Sequence, residues 1–276
     1  MSNVPDTSFV PELDARQRAM LAEMGVRVWA PKPVPAQHAA AVAQEPAALV
    51  PAAPASRPAG VAAPVAVPAP TAPTSPARSA SPVATLNWPA LREAVAGCQA
   101  CGLCQGRTQT VFGTGDEQAD WMIVGEAPGE NEDLQGEPFV GAAGQLLDNM
   151  LKAVGRSRAG TGAEGAYITN VLKCRPPANR NPQPEEVAQC EPYLARQVAL
   201  VKPKVIVAMG RFAVHALLKS SEPIGRLRGQ VHHYEGVPVI VTYHPAYLLR
   251  TPTDKGKAWA DLCLAMGTLE NTPLRR

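Results

Sequence analysis

The chain reads as an α/β protein: a three-layer α/β/α arrangement around a central, mainly parallel four-stranded sheet, preceded by a disordered N-terminal region. Three observations predict this. Short apolar runs rich in residues that suit a sheet buried on both faces recur at Trp121–Val124, Tyr167–Leu172, Val205–Met209 and Val237–Thr242. Segments of helical period lie between and after them, and strands alternating with helices indicate a parallel sheet covered on both sides. From about Pro31 to Ser81 the chain is mostly Ala, Pro, Val and Ser, with no aromatic residue and almost no charge. Such a stretch cannot bury enough apolar surface to offset its chain entropy.

Residues 1–30 hold Leu13, Met20, Leu21, Met24 and Val28 at roughly helical spacing, with Gly25 as a stop. Two readings stay open for this segment: a short docking helix for a protein partner, or a marginal helix without one, since short isolated helices are weak in water. Residues 31–85 form a Pro/Ala-rich linker whose recurring prolines exclude a helix. The folded domain is expected over 86–268, with a C-terminal tail at 269–276. Its helices are expected at Gly144–Val154, Pro184–Val201, Arg211–Leu218 and Lys257–Met266. Pro184 suits a first helical turn, and Glu185 and Glu186 sit near the positive end of the helix dipole.

Twenty-six Lys and Arg against 24 Asp and Glu leave a net charge of +2, so the whole-chain balance does not point to nucleic acid and local charge must carry that question. No stretch is long and apolar enough to span a bilayer, and the N-terminus lacks the basic-then-apolar order of a secretory signal. An intracellular monomer, in the cytosol or at the nucleoid of a bacterium and without a membrane partner, is expected.

In that setting the six cysteines are expected to be ligands or buried thiols rather than disulfides. Cys98 and Cys101 form a C-x2-C knuckle, Cys104 extends it, and Cys174 and Cys190 follow at a distance. Four thiolates around one small volume suit either zinc or a [4Fe–4S] cluster, and spacing alone does not separate the two. Cys263 reads as a buried thiol in the last helix.

In an open parallel sheet, ligands bind beyond the carboxyl ends of the strands. The loop Gly125–Asp133 (GEAPGENED) follows the first predicted strand, Asn170–Asn179 lies on and after the second, Gly210 follows the third, and His244 the fourth. Each motif alone is a weak signal. In series, the knuckle leading into GRTQTVFGTG, GEAPGENED with QGEPFVGAAGQLL, YITNVLKCRPPANRNP with Cys190, and HPAYLLR closely resemble the family-4 uracil-DNA glycosylases over Leu91 to Met266.

That resemblance implies a uracil-DNA glycosylase fold, a uracil-containing DNA substrate and a monofunctional hydrolase of the N-glycosidic bond. It also implies a [4Fe–4S] cluster held by Cys98, Cys101, Cys174 and Cys190, with Cys104 not required. Phe139 is then expected to stack on the flipped base, and Asn170 to read the uracil edge, where its donor and acceptor match O4 and N3–H. His244 is expected to stabilise the charge that develops on O2. Ala127 occupies the position of a water-activating Asp in family-1 relatives, so Glu126 or Glu132 is left to position water or stabilise the sugar cation. Glu132 could alternatively exclude a 5-methyl group or hold Asn179, itself expected in the substrate site. Leu248 matches the wedge position of the wider superfamily, with Arg250 meeting phosphate and Arg175, Arg180, Arg226 and Arg228 extending the surface. One subgroup links covalently to DNA through a histidine in a basic insert; Gly136–Gly144 has neither, so turnover is expected. The rival readings are a non-catalytic nucleic-acid-binding or polymerase-associated module on the same fold, and a zinc-stabilised nucleotide hydrolase.

Overall fold

The computed structural model describes residues 15–23 and 82–270. Its sheet has six strands in the order β1-β3-β2-β4-β6-β5. The four predicted strands are its centre: β2 (Trp121–Gly125), β3 (Ala166–Asn170), β4 (Val205–Met209) and β6 (Val237–Thr242), all paired parallel. Two short edge strands, β1 (Thr114–Gly115) and β5 (Val231–Tyr234), add antiparallel pairs. The apolar-run criterion misses both, because β1 is two residues long and β5 is a partly exposed edge with the sequence VHHY. Strand β3 ends at Asn170, two residues before the expected limit, so Cys174 lies in the following loop.

Side chains alternate between two cores, as a doubly covered sheet requires. Trp121, Ile123, Ile168, Val207 and Ile240 face one core, with Leu147 and Met150 of α4 (Gly141–Ala153) and Trp259 and Leu262 of α9 (Lys255–Glu270). Met122, Val124, Tyr167, Ala208 and Val241 face the other, with Leu194 and Val198 of α5 (Pro184–Val201) and Val214 and Leu217 of α6 (Arg211–Leu218). Helices α5 and α6 keep their predicted limits, a one-turn α7 (Ile224–Leu227) precedes β5, and α9 extends further at both ends than expected.

The folded domain starts earlier than residue 86. A 3-10 turn at Pro82–Thr85 precedes α2 (Trp88–Ala96), and Val83 and Leu86 pack beside Leu91, Val95 and Phe112. Asn87 caps α2 by accepting the Ala90 N–H at 3.1 Å, and α2 delivers the chain to Cys98. Helix α1 (Ala15–Glu23) packs on the domain itself: Leu21 is buried in the core that holds Met150 and Trp259, and Glu23 lies 3.6 Å from Lys152. The expected linker is outside the described residues apart from its last few positions, as is most of the expected tail.

After His244 the HPAYLLR segment forms a helix, α8 (Pro245–Arg250). This overturns the wedge assignment. Leu248 has 0% exposure and belongs to the α4/α9 core, whereas its neighbour Leu249 is 43% exposed. A short helix that packs one face must turn adjacent residues to different environments, so Leu248 could enter DNA only by leaving the core. Arg228 also differs from expectation, since it is bound to the buried Asp261 carboxylate at 2.7 Å rather than offered to phosphate. Leu248→Ala is expected to cost about 2–5 kcal/mol in denaturant unfolding, and Leu249→Ala no more than about 0.5 kcal/mol.

Candidate active site

Strand β2 sits between β3 and β4; the chain leaves β2 towards β3, then crosses to β4 on the other side. This reversal opens a crevice at the carboxyl ends of β2 and β4, the place where open α/β sheets bind ligands. The loops around it are therefore Gly125–Glu126, Gly210–Arg211 and the end of β6 before His244.

Gly125 is paired with Asn170 across the β2/β3 ladder. A Cβ on Gly125 would fall 2.4 Å from Asn170 Oδ1 and 2.4 Å from Phe139 Cζ. Only glycine lets the amide and the ring meet there. Pairing continues past the strand ends, with Val171 N–H donating to Gly125 O at 3.0 Å and Leu172 N–H to Glu126 O at 3.1 Å. Asn170 is 2% exposed, and its side-chain amide bonds to no protein group among the described residues. Buried amides normally have partners, so this one is available to a ligand.

Phe139 is held in a left-handed conformation, φ 54°. Arg158 braces it by donating to Phe139 O at 2.9 Å and Pro138 O at 3.2 Å while pairing with Asp148. Gly144 of α4 completes the brace, because a Cβ there would meet Phe139 O at 1.8 Å. The Phe139 ring stacks on His244, with centroids 5.2 Å apart and planes at 24°.

His244 is the N-cap of α8, and its Nδ1 accepts the Ala246 N–H at 3.2 Å. With Nδ1 an acceptor, the ring proton of neutral imidazole sits on Nε2 and can be donated into the site. Burial, reinforced by the Arg250 cation, pushes the imidazole down to about 4. At neutral pH His244 is therefore an uncharged donor.

The Glu126 carboxylate has no hydrogen-bond partner among the described residues. Burial raises it to about 7, with Arg211 pulling the other way. Glu132 is differently placed from expectation: Oε2 accepts from Gly129 N–H at 3.0 Å and Oε1 from Val140 N–H at 2.9 Å. It closes α3 (Glu130–Gln135) onto the residue after Phe139 and is not bonded to Asn179. Asn179 is instead exposed, with Oδ1 accepting from Arg175 Nε at 2.8 Å. Arg175 also approaches Glu130, and Arg180 pairs with Glu186. Ala127 packs with Leu103, Leu172, Cys174 and Cys190 rather than with Phe139. The structure thus joins Phe139, Asn170 and His244, sets Glu126 at the same crevice, and leaves Asn179 apart.

Sequence reasoning missed four contributors. Asp133 is buried and accepts the Thr108 N–H with both oxygens, at 3.0 and 2.9 Å, tying GEAPGENED to GRTQT. Arg211 stood out only by its place after β4, Lys173 only as one position of YITNVLKCRPPANRNP, and Arg158 by no local signal.

A second site lies next to this one. Cys98, Cys101, Cys174 and Cys190 line one recess, as does Cys104. Arg107 reaches it, donating from Nη1 to Cys174 Sγ at 3.1 Å and from Nη2 to Ala96 O at 2.9 Å. Among the described residues no three His, Cys, Asp or Glu side chains are drawn close enough to grip one metal ion. Five cysteines on one recess, with an arginine donating to one of the sulfurs, are a donor set that suits a thiolate-bound metal centre.

At the strand ends of this doubly wound sheet an aromatic ring, a buried amide without a protein partner among the described residues and an imidazole are brought together, a set able to stack on and hydrogen-bond a planar ligand. Residues 112–263 match the family model of the uracil DNA glycosylase superfamily. Over 166 residues the chain is 48% identical to a type-4 uracil-DNA glycosylase of Archaeoglobus fulgidus, covering 57% of this chain and 81% of that one. A type-4 uracil-DNA glycosylase of Thermotoga maritima is 43% identical over 165 residues, 59% and 83% of the two chains. One of Pyrobaculum aerophilum is 42% identical over 187 residues, 64% and 92%. The chain belongs to the uracil-DNA glycosylase superfamily and, within it, to the type-4 family.

No described helix is long and apolar enough to cross a membrane. In histidine-detected nitrogen NMR, His244 is expected to show the Nε2–H neutral tautomer from pH 8 down to pH 5 and to titrate only near about 4. A midpoint near the ordinary histidine value, about 6.5, would remove the neutral-donor assignment.

Proposed function

We propose that this chain removes uracil from single- and double-stranded DNA by hydrolysing its N-glycosidic bond, leaving an abasic site without cutting the strand. The observation that carries the reading is the buried Asn170 amide, free of protein partners and set against Gly125 and Phe139. An amide offers one donor and one acceptor side by side, which complements the N3–H and O4 edge of uracil and mismatches the amino group of cytosine. A Phe139 face contributes about 1–3 kcal/mol of stacking to an extruded base. His244 Nε2–H is suited to the charge growing on uracil O2, an interaction stronger in the transition state than in the ground state.

Glu126 is the carboxylate best suited to orient water or to stabilise the sugar cation, since Glu132 is committed to loop amides. If its ionised form acts, kcat/KM rises with pH through about 7 and levels above it. Glu126→Gln should flatten that limb, as followed by uracil release between pH 5.5 and 8.5. Leu249, exposed beside Arg250, is assigned the role of contacting the opened stack, with Arg250 at phosphate. Leu249→Ala should lower release from duplex by about tenfold or more while sparing single strands, because unstacking costs about a few kcal/mol only in the duplex.

The cysteine recess supports a [4Fe–4S] cluster on Cys98, Cys101, Cys174 and Cys190. The cluster would supply a structural clip between the segment before β2 and the loop after β3, with no open position for substrate. Protein purified without oxygen should be brown and carry iron and sulfide in equal amounts, and Cys174→Ser or Cys190→Ser should lose the colour. The glycosylase reading is tested by uracil release from a uracil-containing oligonucleotide with the wild type and Asn170→Ala. Binding without release would identify a non-catalytic module, and direct nicking would exclude a monofunctional enzyme.

A further inference from the structure

Lys173 follows Asn170 by three residues and is 1% exposed. Its ammonium donates three hydrogen bonds, to Thr169 Oγ1 at 2.6 Å, Asn170 O at 2.7 Å and Gln197 Oε1 at 2.6 Å. All three acceptors are neutral, and no carboxylate among the described residues pairs with it. Burying a cation among neutral acceptors is costly and persists only where the geometry is fully satisfied. Here it is, since an ammonium has three donors and all three are used.

The main chain of the same residue faces the other way. Its N–H donates to Cys190 and its carbonyl accepts from Val111 N–H at 2.8 Å. Gln197 in turn donates to Phe112 O at 2.8 Å and to Tyr167 Oη at 2.9 Å. One residue therefore grips the peptide of the base-reading asparagine with its side chain and the cysteine recess with its backbone.

We propose that Lys173 is a positioning residue for uracil reading: by holding the Asn170 carbonyl it fixes the strand end from which the Asn170 amide projects, and ties that strand end to the cysteine site. This rests on the uracil reading above. Because the Lys173 N–H donates to Cys190, the group that holds Asn170 in place is itself tied to the helix that carries Cys190. A reading amide displaced by a fraction of an ångström loses its match to the base edge, and small misplacements at a reacting centre are costly.

The test is a double-mutant cycle on the full chain with its metal site loaded: wild type, Lys173→Met, Asn170→Ala and the double variant. It is followed by single-turnover uracil release, by KM for a uracil-containing duplex, and by thermal unfolding and iron content as checks on the fold. Lys173→Met is expected to lower the rate about 100-fold with little change in KM, and to have no further effect once Asn170 is Ala. Equal losses in both backgrounds, or no loss, overturn the proposal, because coupling is what distinguishes action through Asn170. If Lys173→Met does not fold or loads no iron, Thr169→Val removes one acceptor of the ammonium in a milder way. A rate loss that vanishes in the Asn170→Ala background then supports the proposal, and an additive loss or none overturns it. A wild type that releases no uracil overturns the glycosylase reading together with this one, whereas an active wild type with additive losses overturns this one alone.

Discussion

The site depends on a missing side chain. At Gly125 the end of β2, the amide of Asn170 on β3 and the ring of Phe139 come within a distance that no Cβ could share. Everything around that point serves to keep the approach. The β2/β3 register sets Asn170 opposite Gly125, Gly144 lets α4 press against the Phe139 carbonyl, and Arg158 holds the same carbonyl in a conformation that a phenylalanine rarely adopts. Strain of this sort persists where surrounding structure over-determines it, and such places are often functional.

Electrostatics then divide the labour among residues that share the crevice. Burial lowers His244 and raises Glu126, because in both cases it disfavours the charged form. An imidazole kept neutral can donate without bringing a full charge to a bound base, and a carboxyl near neutrality can serve as acid or base. The helix cap at His244 adds what burial cannot, the choice of which ring nitrogen carries the proton.

Two polar anchors connect this crevice to the rest of the domain. Asp133 fastens the GEAPGENED loop to the GRTQT segment that leaves the cysteine knuckle, and Glu132 fastens it to the residue after Phe139. The loop is thus held from both sides, which explains why a run of acidic residues there is structural for the most part. On the opposite side, Lys173 and Gln197 link the end of β3 to α5, the helix that carries Cys190. The crevice at Asn170 and the cysteine site are neighbours built on one strand end.

The sequence by itself determined the four central strands, the limits of α5 and α6, and the meeting of three motifs at the carboxyl end of the sheet. These follow from local patterns: apolar runs, helical period, and the rule that strand ends gather ligands. It also singled out Phe139, Asn170 and His244, through residue type and a resemblance of motifs. What only the tertiary structure decided is how neighbours along the chain part company. Leu248 and Leu249 are identical in type, yet one fills the core and the other is exposed, because α8 has a single face against α4. Glu126 and Glu132 are the same residue type, yet among the described residues one has no hydrogen-bond partner and the other accepts two backbone amides. Arg228 and Arg250 are both cations, but only Arg228 finds the buried Asp261, 33 residues along the chain. Such choices rest on partners distant in sequence, and no local pattern encodes who those partners are.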